Sequence, residues 1–231
     1  MPLALYGKLI ARRDFIAQGV PRGFLDVFEP WLQTAMAASR QALGARWQAV
    51  YFSAPIWRFW LGEGHCGRAL MGVLMPSVDG VGRCFPLTAF AVAPDNCVFR
   101  PPQAEPQASW FDAVEAFVLS TLDTRDFAAV LSAFAALPEP ENWPRPIPPQ
   151  GMISLAGDVA CVAGEGGLDL LERLAAVEDH LGLHGASRWW TIGGGGYPPV
   201  ALSARILPGA EHFVAFLDPQ LLPIHDAART R

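Results

Sequence analysis

Two long apolar runs place the strongest limit on what this chain can fold into. Residues 69–76 contain no charged side chain, and neither do residues 84–92. A strand with one face in water alternates apolar with polar residues, whereas an unbroken apolar strand is buried on both faces. The two runs therefore predict central strands of a sheet that helices cover on both sides. Asp79-Gly80 lies between them and predicts a hairpin turn, because both residue types tolerate positive φ.

The remaining elements are predicted from the spacing of apolar side chains. Apolar residues three and four positions apart indicate helices, and short apolar runs bounded by Gly or Pro indicate strands. Strands and helices are mixed rather than strictly alternating, which favours an α+β fold with a mostly antiparallel or mixed central sheet covered by helices in a layered sandwich. Helices are predicted at residues 26–43, 109–122, 124–137 and 168–181, and strands at residues 3–10, 50–52, 57–61, 158–163, 189–192 and 200–206.

The predicted helix ends carry signals of their own. Pro30 fits a helix only within the first turn, so the first helix is expected to begin at Asp26 or as late as Glu29. Ser109 and Asp112 form a pair resembling a capping box at the second helix. Thr124 is expected to cap the third helix in the same way.

The domain organisation depends on a proline-rich segment. Residues 138–149 contain six prolines, which lack the N–H needed for a strand ladder, so an extended surface connector is predicted. We expect one domain over residues 1–231. Its main α+β part spans residues 1–137, the connector spans residues 138–150, and a C-terminal part at residues 151–231 packs on the same core.

Charge and hydropathy argue against several classes of protein. The net charge of −5 is unsuited to neutralising nucleic-acid phosphates. The longest uncharged stretch, residues 189–204, has 16 residues and is interrupted by four glycines and two prolines, whereas a membrane-spanning helix needs about 20 mostly apolar residues. Apolar residues precede the first basic residue, Lys8, which is the reverse of a secretory signal. We expect a cytoplasmic protein with no nucleic-acid partner and no direct membrane insertion.

The cysteines give no sign of a metal site. They contain no C-x-x-C pair, so neither a zinc site nor a compact disulfide framework is predicted. Free cysteine is commonly buried as a small apolar residue, and we expect reduced thiols with no metal and no cofactor. The four positions are Cys66, Cys84, Cys97 and Cys161.

Asp79 and Arg83 are the leading candidates for a functional surface. They lie four residues apart across a glycine-containing turn, so they could pair with each other or present the arginine to an anionic ligand. The alternative is that Asp79 fixes the turn by bonding its own backbone while Arg83 is solvated or ion-paired. Ser77 invites a hydrolase interpretation, but none of the five histidines lies in a motif that would place a base beside it. No catalytic residue is predicted.

The second half of the chain offers tryptophans and glycines. Trp189 and Trp190 are consecutive, so on a strand they point to opposite faces. One of them is either an interface anchor or is covered by a helix. Residues 193–196 are all glycine and allow either close approach of a partner or a mobile loop. The glycines at 164, 166 and 167 precede a predicted helix, but their spacing fits no phosphate-binding loop.

Two segments carry a resemblance to a known family. The first, at the start of the chain, is similar to Y-G-K-L-P-x-R-G-D-F, with Ile10 where proline is usual and Arg13 where glycine is usual. These two departures leave the shape of the turn open. The second segment, residues 72–87, matches G-V-L-M-P-S-x-D-x-V-G-R-x-F-P-L almost position for position. By these segments the chain resembles the TagF/ImpM family of bacterial type VI secretion proteins. Further landmarks of that family match Trp57-Arg58-Phe59 and Trp189-Trp190-Thr191 with Gly193.

The resemblance implies a function that periodicity and composition do not. It implies a cytoplasmic accessory protein, not an enzyme, that acts as a post-translational repressor by binding a forkhead-associated scaffold protein. Loops around residues 79–83 and 193–197 are the expected contact surface. The alternative is a small-molecule or nucleotide-binding enzyme that uses the Asp79/Arg83 loop. The candidate partner-binding or family-motif residues are Lys8, Arg12, Asp14, Ser77, Asp79, Arg83, Trp189 and Trp190.

Overall fold

The structure, a computed structural model, describes residues 3–147, 152–154, 160–162 and 168–221. Its helices are α1 Arg22–Leu43, α2 Trp47–Ser53, α3 Glu63–Cys66, α4 Ala108–Ser120, α5 Phe127–Ala135, α6 Leu168–His184 and α7 Ala210–Leu217, with 3₁₀ turns at Gly44–Arg46 and Pro219–Leu221. Its strands are β1 Leu3–Gly7, β2 Ile16–Gln18, β3 Trp57–Leu61, β4 Leu70–Met75, β5 Leu87–Val92, β6 Cys97–Val98, β7 Trp143–Pro144, β8 Met152–Ser154, β9 Ala160–Val162, β10 Ser187–Thr191 and β11 Val200–Ala204.

A seven-stranded sheet forms the centre of the described part of the chain. Its strand order is β11-β10-β3-β4-β5-β1-β2, and every neighbouring pair is antiparallel. All residues of β4 and β5, the strands predicted from the two apolar runs, are buried. The predicted α+β fold with an antiparallel sheet covered by helices is therefore confirmed.

Helices cover the two faces of this sheet. One apolar cluster joins α1, α2 and α7 to the first face, and a second cluster joins α4 and α5 to the opposite face. Phe24 and Phe90 stack in the first cluster with ring centroids 4.2 Å apart. Phe117 of α4 and Phe134 of α5 pack together in the second, 5.5 Å apart. Each fully buried ring of this kind stabilises the fold by about 1.5–3 kcal/mol.

Two predicted elements differ from the observed ones. Residues 50–52 were expected as a strand but lie in α2, where Trp47 and Tyr51 stack one helical turn apart at 4.8 Å. A three-residue apolar run does not distinguish strand from helix, and here burial along one helical face decides. Helix α1 begins at Arg22, so Pro30 lies in its interior rather than in its first turn. Pro30 is exposed, so its ring projects away from the packed face.

The predicted helix caps are also wrong. Helix α5 is capped by Asp126, whose carboxylate accepts a hydrogen bond from the backbone N–H of Ala128 at 2.9 Å, and not by Thr124. Helix α4 begins at Ala108 without a side-chain cap. Asp112 instead accepts a hydrogen bond from buried Arg58 of β3 at 2.7 Å. This charge-assisted bond fastens α4 to the sheet, so a tertiary contact has replaced the local one.

The proline-rich connector makes ladder contacts after all. Its residues Trp143 and Pro144 pair with β6, and the N–H of Arg145 donates to the carbonyl of Asn96 at 2.7 Å. Proline keeps its carbonyl as an acceptor, and the residue after it supplies the donor. Residues 148–150 of the connector lie outside the described residues. Of the strand predicted at residues 158–163, residues 160–162 form β9, and residues 158, 159 and 163 lie outside the described residues.

The last described elements contact the sheet directly. Strand β10 pairs with β3, and the indole N–H of Trp57 in β3 donates to the carbonyl of Phe216 in α7 at 2.9 Å. A second long-range bond joins the indole N–H of Trp31 to the carbonyl of Pro208 at 2.6 Å. Within the described ranges, no helix combines the length and the apolar character needed to cross a bilayer.

Candidate functional site

The two motif segments meet as a pair of loops at one end of the sheet. The loop of residues 8–15 follows β1, the loop of residues 76–86 joins β4 to β5, and we call them the paired loops. The N–H of Gly80 donates to the carbonyl of Arg12 at 2.7 Å. Gly7 has φ +126°, and a Cβ there would lie 2.0 Å from the carbonyl oxygen of Pro86. Only glycine allows the two segments to approach this closely.

Asp79 organises the paired loops from inside. Its carboxylate is fully buried; Oδ1 accepts from the backbone N–H of Val81 at 3.0 Å and of Arg83 at 2.9 Å. Oδ2 accepts from Arg83 Nε at 2.6 Å and lies 3.0 Å from Lys8 Nζ. Burial alone would raise the pKa of Asp79, but these hydrogen bonds outweigh it and hold the pKa well below its usual range. Asp79 therefore stays ionised and acts as the fixed centre of the turn.

Arg83 reaches across to the other loop. Besides Asp79, its guanidinium donates to the carbonyl of Arg13, yet its side chain remains 59% exposed. The departure from glycine at Arg13 is accommodated, because the only described non-glycine residues with positive φ are Asn96 and Gln107. Arg83 is both a brace between the loops and a surface cation.

Three cations line one surface pocket beside the paired loops. The pocket has a volume of about 540 Å³, and we call it the basic pocket. Lys8 and Arg83 enter it from the loops, and Arg40 enters it from α1. The Arg40 guanidinium lies over the ring of Trp47, 4.5 Å from its centroid, and its NH2 group is 3.4 Å from the carbonyl oxygen of Cys84. The complete lining is Lys8, Gln33, Met36, Arg40, Arg83, Cys84 and Phe85.

Cys84 and Ser77 are poorly suited to nucleophilic chemistry. Burial and the charge of Asp79 raise the pKa of the Cys84 thiol, and the opposing effect of Arg40 and Lys8 is smaller. The thiol is therefore mostly protonated at neutral pH. Ser77 is buried, and its backbone N–H and carbonyl both bond the Tyr51 hydroxyl at 2.9 Å. In the described part of the chain no hydrogen bond links Ser77 to a histidine.

Apolar side chains are exposed on both of the paired loops. Phe15 is 50% exposed and Val81 is 56% exposed, one on each of the paired loops. The Phe15 ring packs against Phe85, which lines the pocket, at 4.8 Å, and Lys8 Nζ lies 5.0 Å from its centroid. The surface therefore combines exposed apolar groups with fixed positive charge.

Arg12 and Asp14 have different positions in the same loop. The Arg12 guanidinium lies over the ring of Phe127 in α5, 4.4 Å from its centroid, and so anchors the loop to the second face of the sheet. Asp14 is exposed. Neither lines the basic pocket.

The candidates in the second half of the chain are not part of this site. Trp189 is completely buried and packs 5.3 Å from Trp31 and 5.2 Å from Phe59. Trp190 points to the opposite face, is half-buried and packs edge-on against Phe111 of α4 at 4.9 Å. Helices thus cover both tryptophans, which is the alternative that needs no partner.

The glycine run adjoins a different part of the molecule. Residues 193–196 all have positive φ, and Gly193 has no room for a Cβ, which would lie 2.4 Å from the carbonyl oxygen of Tyr197. The run lies near the end of α2, since a Cβ on Gly195 would be 3.5 Å from the carbonyl oxygen of Ser53. The glycines at 164, 166 and 167 lie outside the described residues.

Sequence reasoning missed Arg40. Arg40 belongs to no motif. Its contact with the Trp47 ring and its position in the same pocket as Lys8 cannot be predicted from the residues next to it in sequence. The available signal was its position four residues after Met36 on α1, which places both on one side of the helix. Over the described ranges, no group of three or more His, Cys, Asp or Glu side chains is arranged to hold a metal ion.

Comparison with known proteins relates the chain to a protein family and to a solved structure. Residues 4–137 match the family described as the TagF N-terminal domain, type VI secretion system-associated. The chain is also similar to the crystal structure of PA0076 from Pseudomonas aeruginosa PAO1, with 35% sequence identity, a TM-score of 0.73 and coverage of 93% of each chain. Among curated proteins none matches. The similarity in structure extends beyond residue 137, and both paired loops lie within the family match.

Proposed function

Since the chain belongs to the family of TagF N-terminal domains and is a type VI secretion-associated protein, we propose that it regulates this secretion system from the cytoplasm. It acts after translation as a repressor by binding a forkhead-associated scaffold protein, the role that its family resemblance implies. The paired loops are the contact surface, with Arg83 and the exposed Phe15 and Val81 facing the partner and the largely buried Lys8 paired with Asp79.

One observation carries this proposal: exposed apolar side chains flank a braced arginine on rigid loops. Phe15 and Val81 are about half exposed; the buried Asp79 fixes the backbone of Val81 and Arg83, and the N–H of Gly80 bonds to the carbonyl of Arg12 on the loop that carries Phe15. Aromatic residues and arginine are enriched among the residues that carry most binding energy at interfaces. A preorganised surface also loses less conformational freedom when a partner binds. Both motif segments contribute to this one surface.

The rival proposal of an enzyme has less support. A general acid or base works best when its pKa lies near the working pH. Here the pKa of Asp79 is held low, and the pKa values of Tyr51 and Cys84 are raised. None of the three shifts moves the pKa of its group toward neutral pH. We therefore propose a binding protein and not an enzyme.

We propose also that residues 1–231 form one domain, although the family match ends at residue 137. Strand β10 belongs to the same sheet as β3 and β4. Trp57 bonds to Phe216, and Trp31 bonds to Pro208. The core of the first part is thus completed by residues of the second part.

Calorimetry with the purified forkhead-associated protein of the same secretion system tests the binding proposal. The double variant Phe15→Ser, Val81→Ser removes the exposed apolar groups and keeps every hydrogen-bond partner of Asp79, and it also removes the ring that lies beside Lys8 Nζ. We expect binding by the wild-type chain and at least about a hundredfold loss in the variant, which corresponds to about 2.7 kcal/mol.

A matched control separates surface hydrophobicity in general from this surface in particular. Ile206 is 70% exposed and lies after β11, away from the paired loops. Ile206→Ser is expected to bind like wild type. If wild type shows no binding, or if both variants bind equally well, the proposed contact surface is wrong.

A further inference from the structure

We propose that the basic pocket is a phosphate-binding site. The phosphate would lie among the Lys8 ammonium, the Arg83 guanidinium and the Arg40 guanidinium. This inference goes beyond the proposed function, because it concerns a ligand of the chain itself and does not depend on the identity of a protein partner.

The basic pocket carries an excess of positive charge. Asp79 provides one negative charge, and both Lys8 and Arg83 pair with its Oδ2 atom. Arg40 adds a third cation, and the described residues lining the pocket include no acid. Glu29, the acidic residue one turn before Gln33, accepts a hydrogen bond from Gln33 Nε2 at 3.0 Å and does not line the pocket. A doubly charged anion would balance the excess.

The cations of the basic pocket are fixed and have unused hydrogen-bond donors. The Lys8 side chain is only 9% exposed, so its ammonium is held at the inner wall. An ammonium has three N–H donors and a guanidinium has five. Only one acceptor is recorded for each of Lys8 and Arg40, and two for Arg83. The remaining donors are available to the four oxygen atoms of a phosphate.

The two arginines of the basic pocket are already ordered by other contacts. Arg40 lies over Trp47, and Arg83 is braced between Asp79 and the carbonyl of Arg13. Side chains that are already held in place lose little rotamer freedom when an anion binds. Lone surface arginines lack this advantage, so the fixed arrangement separates the pocket from ordinary surface charge.

Titration calorimetry of the full chain with inorganic phosphate tests the site. The reference titration uses sodium chloride at the same ionic strength, because screening alone weakens surface electrostatics. We expect saturable binding of phosphate and no saturable binding of chloride. Arg40→Gln should weaken phosphate binding about tenfold, the loss of one charge-assisted contact.

Arg22→Gln is the matched control. Arg22 lies on the same helix, α1, its side chain is 93% exposed, and its contact with Asp26 is long at 3.8 Å. The variant has the same change of side chain and of net charge, yet it should bind phosphate like wild type. Arg83→Gln provides a second pocket variant if Arg40→Gln alters the melting temperature.

The outcomes are distinct. Equal heats for phosphate and chloride, or unchanged binding in both pocket variants, would overturn the site. Acetate binding as tightly as phosphate would also overturn it, since the pocket would then be a general carboxylate site. A phosphoserine peptide that binds more tightly than free phosphate would identify the phosphate as one carried by a side chain, and equal affinities would identify free phosphate.

A further comparison keeps this test separate from the proposed function. Val81 does not line the basic pocket, so the single variant Val81→Ser should keep phosphate binding while it weakens binding of the forkhead-associated partner. If it keeps both or if wild type binds phosphate but no partner, the partner proposal fails and the pocket stands.

Discussion

The paired loops and strand β10 are held by opposite kinds of interaction. In the loops, a buried carboxylate fixes the backbone from inside, and Arg83, Phe15 and Val81 remain at the surface. In β10, Trp189 is completely buried among other aromatic rings. The loops therefore hold the turn through a buried carboxylate and keep the apolar side chains at the surface, and Arg83 serves both as a brace and as a surface cation. In β10 the side chains of Trp189 and Trp190 both pack against other aromatic rings.

The largest effect on stability is expected from removing the buried tryptophan of β10. Trp189→Ala should reduce the free energy of unfolding by about 3–5 kcal/mol, because it leaves a cavity under α1 and α7. Trp189→Phe should cost much less, since the indole N–H of Trp189 has no hydrogen-bond partner among the described residues. Urea unfolding measures both. A loss below about 1 kcal/mol in Trp189→Ala would contradict the packing role.

The next largest effect on stability is expected from a substitution of Asp79, at the centre of the paired loops. Asp79→Asn should reduce the free energy of unfolding by about 3 kcal/mol, because it leaves the largely buried Lys8 without its counter-charge. Urea unfolding again provides the measurement. Asp14→Asn is the matched control on the same loops, and because Asp14 is exposed its effect should stay within about 0.5 kcal/mol. Equal effects of the two variants would contradict the network.

The dependence of stability on pH sharpens the contrast between the regions. The pKa of Asp79 is lower in the folded state than the unfolded value of about 3.9. Its contribution is therefore fully present above about pH 4 and is lost progressively as the pH falls below that value. The stability difference between wild type and Asp79→Asn should shrink over this range. The difference between wild type and Trp189→Ala should not, and parallel behaviour of the two would reject this linkage.

The smallest effect on stability concerns Arg83. Arg83→Ala should cost only about 1 kcal/mol, because the side chain is more than half exposed and Lys8 still pairs with Asp79. The same variant should lose the protein partner. Thermal unfolding and calorimetry measure the two properties on one sample. A large loss of stability together with intact binding would reverse the assignment of Arg83 as mainly a surface residue.

Sequence patterns predicted the centre of the fold but not the details that depend on distant contacts. The strands β4 and β5 follow from unbroken apolar runs, because burial on both faces leaves a strong signal. The strand expected at residues 50–52 was wrong, since so short a run carries no period. Asp112 was expected as a cap and instead binds Arg58, a residue 54 positions earlier in the chain.

The site shows the same limit. The family motifs placed Asp79 and Arg83 near a turn, and local turn chemistry accounts for the hydrogen bonds of Asp79 to its own backbone. The contact with Lys8 joins residues 71 positions apart, and the position of Arg40 depends on how α1 packs on the sheet. No local pattern encodes such distances. The pocket becomes visible only in three dimensions.

The pairing of β1 with β5 has a consequence for synthesis of the chain. Leu3 lies opposite Ala91, so the first strand cannot find its partner until β5 has been translated. At about 5–20 residues per second, this delay is on the order of ten seconds. During that time the segment around Lys8 has no Asp79 to pair with, and the proposed contact surface is not yet formed. A nascent chain is therefore unable to engage a partner through this surface until both motif segments have left the ribosome.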